Sequence, residues 1–346
     1  MRPAKNGSYR VLLIDGAGRL YDQARPLFET GELVPSSHGT DYEGALAAVM
    51  HARPDIVMVD LGHQDALLAV EAVMAERPTP ILGLYDGRQE TGSRVDPFRA
   101  LALGALDVAE LPAAPAGWAD LARKLTLLAQ VRVVQHVQGK LRKKGRTLPG
   151  VPAIGHEPPF PVVAVAASLG GPKALSQILR MIPRGFPAPI VVCQHISTGF
   201  TEGLSQWLAA ETALDVTGAR DGERLRPGTV FIAPSGAHLL VRDDARLSLD
   251  NGPPINGFRP SCDALLFSAA EAFGRRAVGV ILTGMGRDGA RGLKEIRARG
   301  GRTIAQDERT CVVFGMPGEA VSLGAAEEVL PLDEIAAHLM KLVDQC

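Results

Sequence analysis

The stretch Pro161-Val-Val-Ala-Val-Ala-Ala-Ser168-Leu169-Gly170-Gly171-Pro172 decides how the chain is read. From Pro161 to Ala167 it is apolar or small without alternation, the pattern of a parallel strand covered on both faces. Ser168 and the two glycines break the run, and Pro172 suits a first helical turn, where no N–H is needed. Strand, tight turn and helix start put Ser168 at a strand's carboxyl end, where open α/β sheets place ligands and chemistry. Glycines let backbone N–H groups come close to a reacting oxygen, and the helix start adds partial positive charge. A serine so placed is either a nucleophile beside an oxyanion site or a plain helix cap.

Downstream, strands are expected over 189–195, 229–233, 277–283, 302–306, 312–314 and 327–330, with a hairpin over 238–250. Helices are expected over 172–182, 199–211, 262–273, 315–323 and 333–342. His195 ends the second strand, and a neutral imidazole there can take a serine proton near neutral pH. The strand 277–283 runs into Gly284-Met285-Gly286-Arg287-Asp288-Gly289, which makes Asp288 a third polar group at a strand end. Serine, histidine and acid on one rim supply a nucleophile, a base and an orienting carboxylate, whatever their order in the chain. His238 opens a strand rather than ending one and reads as structural. A rival reading takes Gly284, Gly286 and Gly289 as a dinucleotide fingerprint with Asp307 on a ribose. That fingerprint normally opens its domain, and here too little chain follows it for two mononucleotide units.

The 346 residues carry 37 Lys and Arg against 38 Asp and Glu, a formal net charge of -1, so no global field steers the chain toward nucleic acid or an anionic membrane. The length allows two domains at about 100–200 residues each. Cys193, Cys262, Cys311 and Cys346 are too scattered for a paired-cysteine metal site or a secreted disulfide framework. No His-Glu-x-x-His motif or phosphate loop ending in Gly-Lys-Ser/Thr occurs, and no cofactor or metal is expected. The N-terminal residues lack an apolar leader, and no run reaches the roughly 20 apolar residues of a membrane span. These features predict a cytoplasmic protein with no nucleic-acid partner and no membrane insertion.

The N-terminal half, taken as a domain over 8–130, shows strands over 9–15, 55–60, 80–85 and 106–110 alternating with helices over 42–52, 66–76 and 97–103, the signature of a doubly wound α/β fold. It resembles a response-regulator receiver of flavodoxin-like fold, with Asp15 in the acidic pocket and Asp60 at the phosphoacceptor position. Gly16 stands where receivers carry a second acid, Gly83-Leu84-Tyr85 where a hydroxyl residue is expected, and Leu111 where a lysine is expected. Without those groups in-line phosphoryl transfer loses its Mg²⁺ and charge support. Asp60 is therefore expected not to be a regulated phosphoacceptor. An amphipathic helix is expected over 118–142, and residues 131–159, with a basic run and then proline and glycine, read as a solvated linker. His156 falls in that linker and is given no role.

From residue 160 to 346 the chain closely resembles the catalytic domain of the CheB family of chemotaxis protein-glutamate methylesterases. The landmarks are Ser168-Leu-Gly-Gly-Pro, Gln194-His195 before Gly199-Phe-Thr, Asp221-Gly-Glu, Ile232-Ala-Pro, Pro253-Pro-Ile-Asn, Arg259-Pro-Ser-x-Asp263, Leu282-Thr-Gly-Met-Gly-Arg-Asp-Gly, Ile304-Ala-Gln and Phe314-Gly-Met-Pro. The resemblance implies a mostly parallel α/β esterase domain that hydrolyses γ-glutamyl methyl esters on the cytoplasmic helical part of chemoreceptors, with glutamine deamidation as a second activity. A chemotaxis histidine kinase is a further partner it brings into view. By motif match Ser168 is the nucleophile, His195 the base and Asp288 its orienting carboxylate, with Leu169, Gly170 and Met285 giving backbone support at the oxyanion site. In that family the receiver is thought to cover the active-site face until phosphorylation loosens it, and the receiver's missing groups predict that this switch is lost or replaced by protein docking.

Two departures from the family pattern stand next to the catalytic motifs. Leu169 replaces a Thr or small residue, and Gly257-Phe258 replace a more polar pair before Arg259, so recognition of substrate is expected to differ there. An active esterase is the main expectation. A non-catalytic signalling adaptor that keeps the fold is the alternative.

Overall fold

A computed structural model describes residues 7–15, 20–36, 41–62, 65–86, 97–131, 133, 160–196 and 200–345. The chain divides into two compact units, Met1–Leu141 and Arg142–Cys346. Among the described residues no helix is long and apolar enough to cross a membrane.

The first unit runs β1 (Tyr9–Ile14), α1 (Leu20–Ala24), β2 (Leu33–Pro35), α2 (Ala45–Ala52), β3 (Ile56–Asp60), α3 (Asp65–Glu76), β4 (Ile81–Tyr85), α4 (Pro97–Ala102), β5 (Asp107–Glu110) and α5 (Pro115–Ala129). Its strands pair in parallel in the order β2-β1-β3-β4-β5, the flavodoxin-like order. Residues 11–14, 56–59 and 81–84 are buried without alternation, as central parallel strands demand. The elements depart from expectation at α1, β2 and α5. Strand β2 was not anticipated, because three residues with only Leu33 buried and a proline at the end carry almost no periodic signal. Helix α5 stops at Ala129, where its buried stripe, Leu121, Leu125 and Leu128, ends, and residues 132 and 134–142 of the expected helix lie outside the described residues. The linker's basic run, His156 and Gly16 lie outside the described residues.

The second unit contains β6 (Val162–Ala167), α6 (Gly171–Met181), β7 (Ile190–Gln194), α7 (Thr201–Glu211), β8 (Asp215–Gly218), β9 (Thr229–Ile232), β10 (His238–Val241), β11 (Leu247–Asp250), α8 (Cys262–Phe273), β12 (Ala277–Ile281), α9 (Ala290–Ala298), β13 (Arg302–Gln306), α10 (Met316–Ser322), β14 (Glu328–Leu330) and α11 (Leu332–Gln345). Seven strands form one parallel sheet in the order β14-β13-β12-β6-β7-β9-β8, and β10 and β11 form a separate hairpin. The chain moves outward from β6 in one direction and returns to its other side at β12. The carboxyl ends of β6 and β12 thus flank the topological switch point, where such sheets bind ligands. Alternate β6 residues Val162, Ala164 and Ala166 share one buried core with Cys262, Leu265, Leu266, Ala269, Leu293 and Ile296. The alanines keep the strand surface flat enough for α8 to sit close to it.

Residues 312–314 do not form the expected strand and make one isolated bridge, Gly284 to Phe314. The backbone of Val313 is taken by the turn after β12: its N–H donates to Thr283 Oγ1 at 2.9 Å and its carbonyl accepts from Gly284 N at 3.1 Å. The edge strand β8, exposed or half-buried throughout, was not anticipated either.

Candidate active site

Ser168 follows β6 directly and is half-buried. Its N–H donates to Thr283 O at 3.1 Å, and its carbonyl accepts from Gly171 N at 2.8 Å, closing the turn into α6. Gly170 has φ +78, and a Cβ there would lie 2.6 Å from Val312. Glycine is therefore required twice over, by conformation and by space. At Gly171 a Cβ would fall 2.0 Å from Gln194 Oε1. Gln194 ends β7 as a buried amide whose Nε2 donates to Ser168 O at 2.8 Å and to His195 O at 2.9 Å. One side chain thus ties the two strand ends together. Register pairs Ala167 with Gln194, and His195 N donates to Ala167 O at 3.0 Å, so Ser168 and His195 follow side by side on adjacent strands.

His195 Nε2 lies 2.9 Å from Asp288 Oδ2, and Nδ1 is buried without a hydrogen-bond partner among the described residues. Asp288 is 1 % exposed. It stands on the N-terminus of α8, accepting from Cys262 N at 2.7 Å and Asp263 N at 3.2 Å, with Ser261 Oγ donating at 2.9 Å. Helix N-termini favour an anion for this reason. The arrangement is reciprocal. Asp263, in the first turn of α8, accepts from Gly289 N at 3.0 Å and Gly292 N at 2.8 Å at the start of α9. Each helix N-terminus is served by an acid from the start of the other.

Burial opposes charge on the imidazole, but the adjacent Cys262 sulfur and the Asp288 carboxylate outweigh it and raise the His195 pKa. The Cys262 thiol is itself pushed well up by burial, and the Asp288 carboxylate faces His195 Nε2 directly. Asp288 is buried too, yet its hydrogen bonds and the imidazole bring it below the ordinary carboxylate value.

Leu169 and Gly170 follow Ser168 in the turn into α6, and Met285 lies on the turn after β12. Among the described residues no backbone hydrogen bond uses the N–H of Leu169, Gly170 or Met285. The Leu169 side chain is buried, and its carbonyl accepts from Thr283 Oγ1 at 2.9 Å. Met285 is half-exposed on the Gly-Met-Gly turn. His238 is structural: Nε2 donates to Pro253 O at 3.1 Å, and Nδ1 accepts from Ser261 N at 3.1 Å.

The Gly284/Gly286/Gly289 pattern does not offer a phosphate cradle. A Cβ on Gly284 would strike Met316 Sδ at 2.3 Å and Ser168 Cβ at 2.7 Å, so that glycine exists for packing. The amides at the start of α9 already serve Asp263, and Asp307 accepts from Thr310 N at 3.0 Å in its own turn. Cys193, Cys262 and His195 bring three metal-ligand atoms within 4.8 Å of one another. His195 would have to offer the nitrogen that faces Asp288, so a metal there would compete with that pair.

In the N-terminal unit Asp15 is buried and accepts from Leu20 N at 2.6 Å. Asp60 accepts from Gly62 N at 2.9 Å, and burial raises its pKa, with Asp15 and Asp86 adding to the rise. Lys124, on α5, is engaged with Asp107 at 2.9 Å.

Residues 163–339 match the family described as CheB methylesterase. The protein-glutamate methylesterase FrzG of Myxococcus xanthus is 57% identical over 342 residues, spanning 98% of this chain and all of that one. The chain belongs to the CheB methylesterase family. A protein-glutamate methylesterase/protein-glutamine glutaminase of Anaeromyxobacter dehalogenans is 48% identical over 92% of this CheB-family chain and 91% of its own length. The crystal structure of the Thermotoga maritima CheB methylesterase catalytic domain superposes with a TM-score of 0.52 at 42% identity, covering 53% of this chain and 99% of the other.

Sequence reasoning passed over the residues that brace this CheB-type site. In the sequence Gln194, Ser261, Asp263 and Thr283 stand only as members of motifs. Their signal was nevertheless present, as polar side chains at the ends of apolar strands or at a helix start. Phe258 departs from the family pattern, and its contact is not legible in the sequence: its ring stacks on His195 with centroids 4.0 Å apart and planes 1° from parallel.

Proposed function

We propose that this chain is a serine methylesterase that hydrolyses γ-glutamyl methyl esters on the cytoplasmic helices of chemoreceptors, with glutamine deamidation by the same steps. The observation that carries the reading is the asymmetry of His195: Nε2 is bound to a buried carboxylate and Nδ1 is left without a partner beside the strand end that bears Ser168. In this mechanism Ser168 Oγ attacks the ester carbonyl carbon while His195 Nδ1 takes its proton. The N–H groups of Leu169, Gly170 and Met285 receive the oxyanion, each such donor being worth about 3 kcal/mol in the transition state. Collapse of the tetrahedral intermediate breaks the bond to the methoxy oxygen, which takes the proton from His195 and leaves as methanol. Water, activated by the same nitrogen, then hydrolyses the acyl-enzyme to the glutamate carboxylate and restores Ser168. For a glutamine, ammonia leaves in place of methanol.

Asp60 has no part in this scheme: its missing Mg²⁺ and lysine partners favour a receiver-like unit that does not switch by phosphorylation. The test is methanol release from membranes bearing methylated chemoreceptors. The wild-type chain is expected to release methanol and Ser168→Ala to release none while remaining folded. A wild-type chain inactive on every receptor and model ester would replace the esterase reading with the adaptor one.

A further inference from the structure

The loop from Gly252 to Arg259 is more elaborate than a connection from β11 to α8 requires. Ile255 N donates to Phe258 O at 3.0 Å, and Phe258 N donates to Ile255 O at 2.9 Å. Between them Asn256 and Gly257 have φ of 53 and 86. Two left-handed residues inside a reciprocal pair of hydrogen bonds make a type I′ turn, which strongly selects Asn-Gly. Its base is pinned on both sides. Arg259 Nη1 donates to Asn251 O at 3.1 Å and to Gly252 O at 3.0 Å, while His238 holds Pro253 O. The product of this construction is one aromatic ring laid flat on His195.

That ring meets a specific mechanical need. The hydrogen bond from His195 Nε2 to Asp288 restrains one edge of the imidazole in its own plane, and Nδ1 has no bond to add a second restraint. A ring held at one edge can still tilt about that bond. Face-to-face contact at 4.0 Å and 1° is the restraint that opposes tilting. We infer that Phe258, presented by the Asn256-Gly257 turn, is a positioning residue that fixes the plane of His195 so that Nδ1 can take the Ser168 proton. This rests on the reading of Ser168 and His195 as nucleophile and base. Phe258 touches the base rather than the reacting bond, and misplacement of a catalytic group by about 1 Å is enough to cost on the order of 100-fold in rate.

The experiment compares the full-length wild type with Phe258→Ala, Phe258→Tyr and Gly257→Val, using p-nitrophenyl acetate and methylated receptor membranes. For Phe258→Ala the expected result on both substrates is a fall in kcat of about 10- to 100-fold with KM changed less than about threefold. Phe258→Tyr, which keeps a flat ring, retains kcat to within about threefold. Gly257→Val should behave like Phe258→Ala: its Cβ meets nothing within 4 Å, but a β-branched residue resists the left-handed conformation that presents Phe258. Nuclear magnetic resonance gives a readout independent of turnover. The carbon-bound imidazole protons of His195 should carry ring-current shifts in wild type and Phe258→Tyr that are lost in the other two. An unchanged kcat in folded Phe258→Ala, or a rise in KM alone, would overturn the inference while leaving the esterase intact. An inactive wild type would instead remove the esterase reading, and this inference with it.

Discussion

In the proposed mechanism His195 carries the pH dependence, because its two nitrogens have different neighbours. Against the opposing effect of burial, the Cys262 sulfur and Asp288 favour the imidazolium and so raise the pKa above 6.5, the ordinary value. A base works only when deprotonated, so activity is absent at acid pH, where His195 holds its proton, and rises as pH passes upward through the raised pKa. The expected profile of kcat/KM for a small ester climbs from pH 6.5 into the alkaline range; a profile already flat below pH 6.5 would contradict it. Asp288→Asn keeps the shape of the side chain but removes the charge. Its expected effects are a fall in kcat on the order of 10³-fold or more and a return of any residual activity limb toward the ordinary histidine range, read from the same profile.

Helices and strands set the site through their ends. Gly171 sits under the Gln194 amide, and that amide holds the carbonyls of both Ser168 and His195. Gly171→Ala must push aside a buried, doubly bonded side chain, with Ala167 Cβ also only 2.9 Å away. A fold retained by circular dichroism with activity reduced more than about tenfold is the expected outcome, since small displacements of reacting groups are costly. The crossed caps of α8 and α9 make the second prediction at this scale. Asp263→Ala leaves Gly289 N and Gly292 N without their acceptor, and loss of such a cap costs about 1–2 kcal/mol. Urea unfolding should show that loss, and activity should fall with it, because the turn carrying Asp288 loses its anchor. Stability and activity both equal to wild type would show that the reciprocal capping has no energetic role.

At the scale of the whole molecule the proposed chemistry belongs to one unit. Every residue given a role in the reaction lies beyond residue 160, and the solved Thermotoga maritima relative is a catalytic domain covering 53% of this chain. A fragment of residues 160–346 is expected to fold and to hydrolyse a small ester with a kcat within about threefold of the full chain or above it. An unfolded or inactive fragment would show that the N-terminal unit is needed for the site. For the full chain, acetyl phosphate with Mg²⁺ should leave the rate unchanged, because phosphoryl transfer to Asp60 lacks its charge partners. An acceleration lost in Asp60→Asn would overturn that expectation.

The sequence determined what is local. An unalternating apolar run has to become a buried strand, paired glycines have to become a tight turn, and Pro172 has to open a helix. Ser168, His195 and Asp288 were therefore legible as strand-end or turn residues, and Asn-Gly at 256–257 is a turn signal on its own. What only the tertiary structure decided is which of these groups meet. His195 and Asp288 are 93 residues apart, and nothing in the spacing says which imidazole nitrogen faces the acid. The same holds for the exchange of caps between α8 and α9, for the amide of Gln194 bridging two strands, and for Phe258 lying on His195. Each depends on strand order and helix packing, which bring distant residues to one rim through the burial of a common core rather than through any local preference.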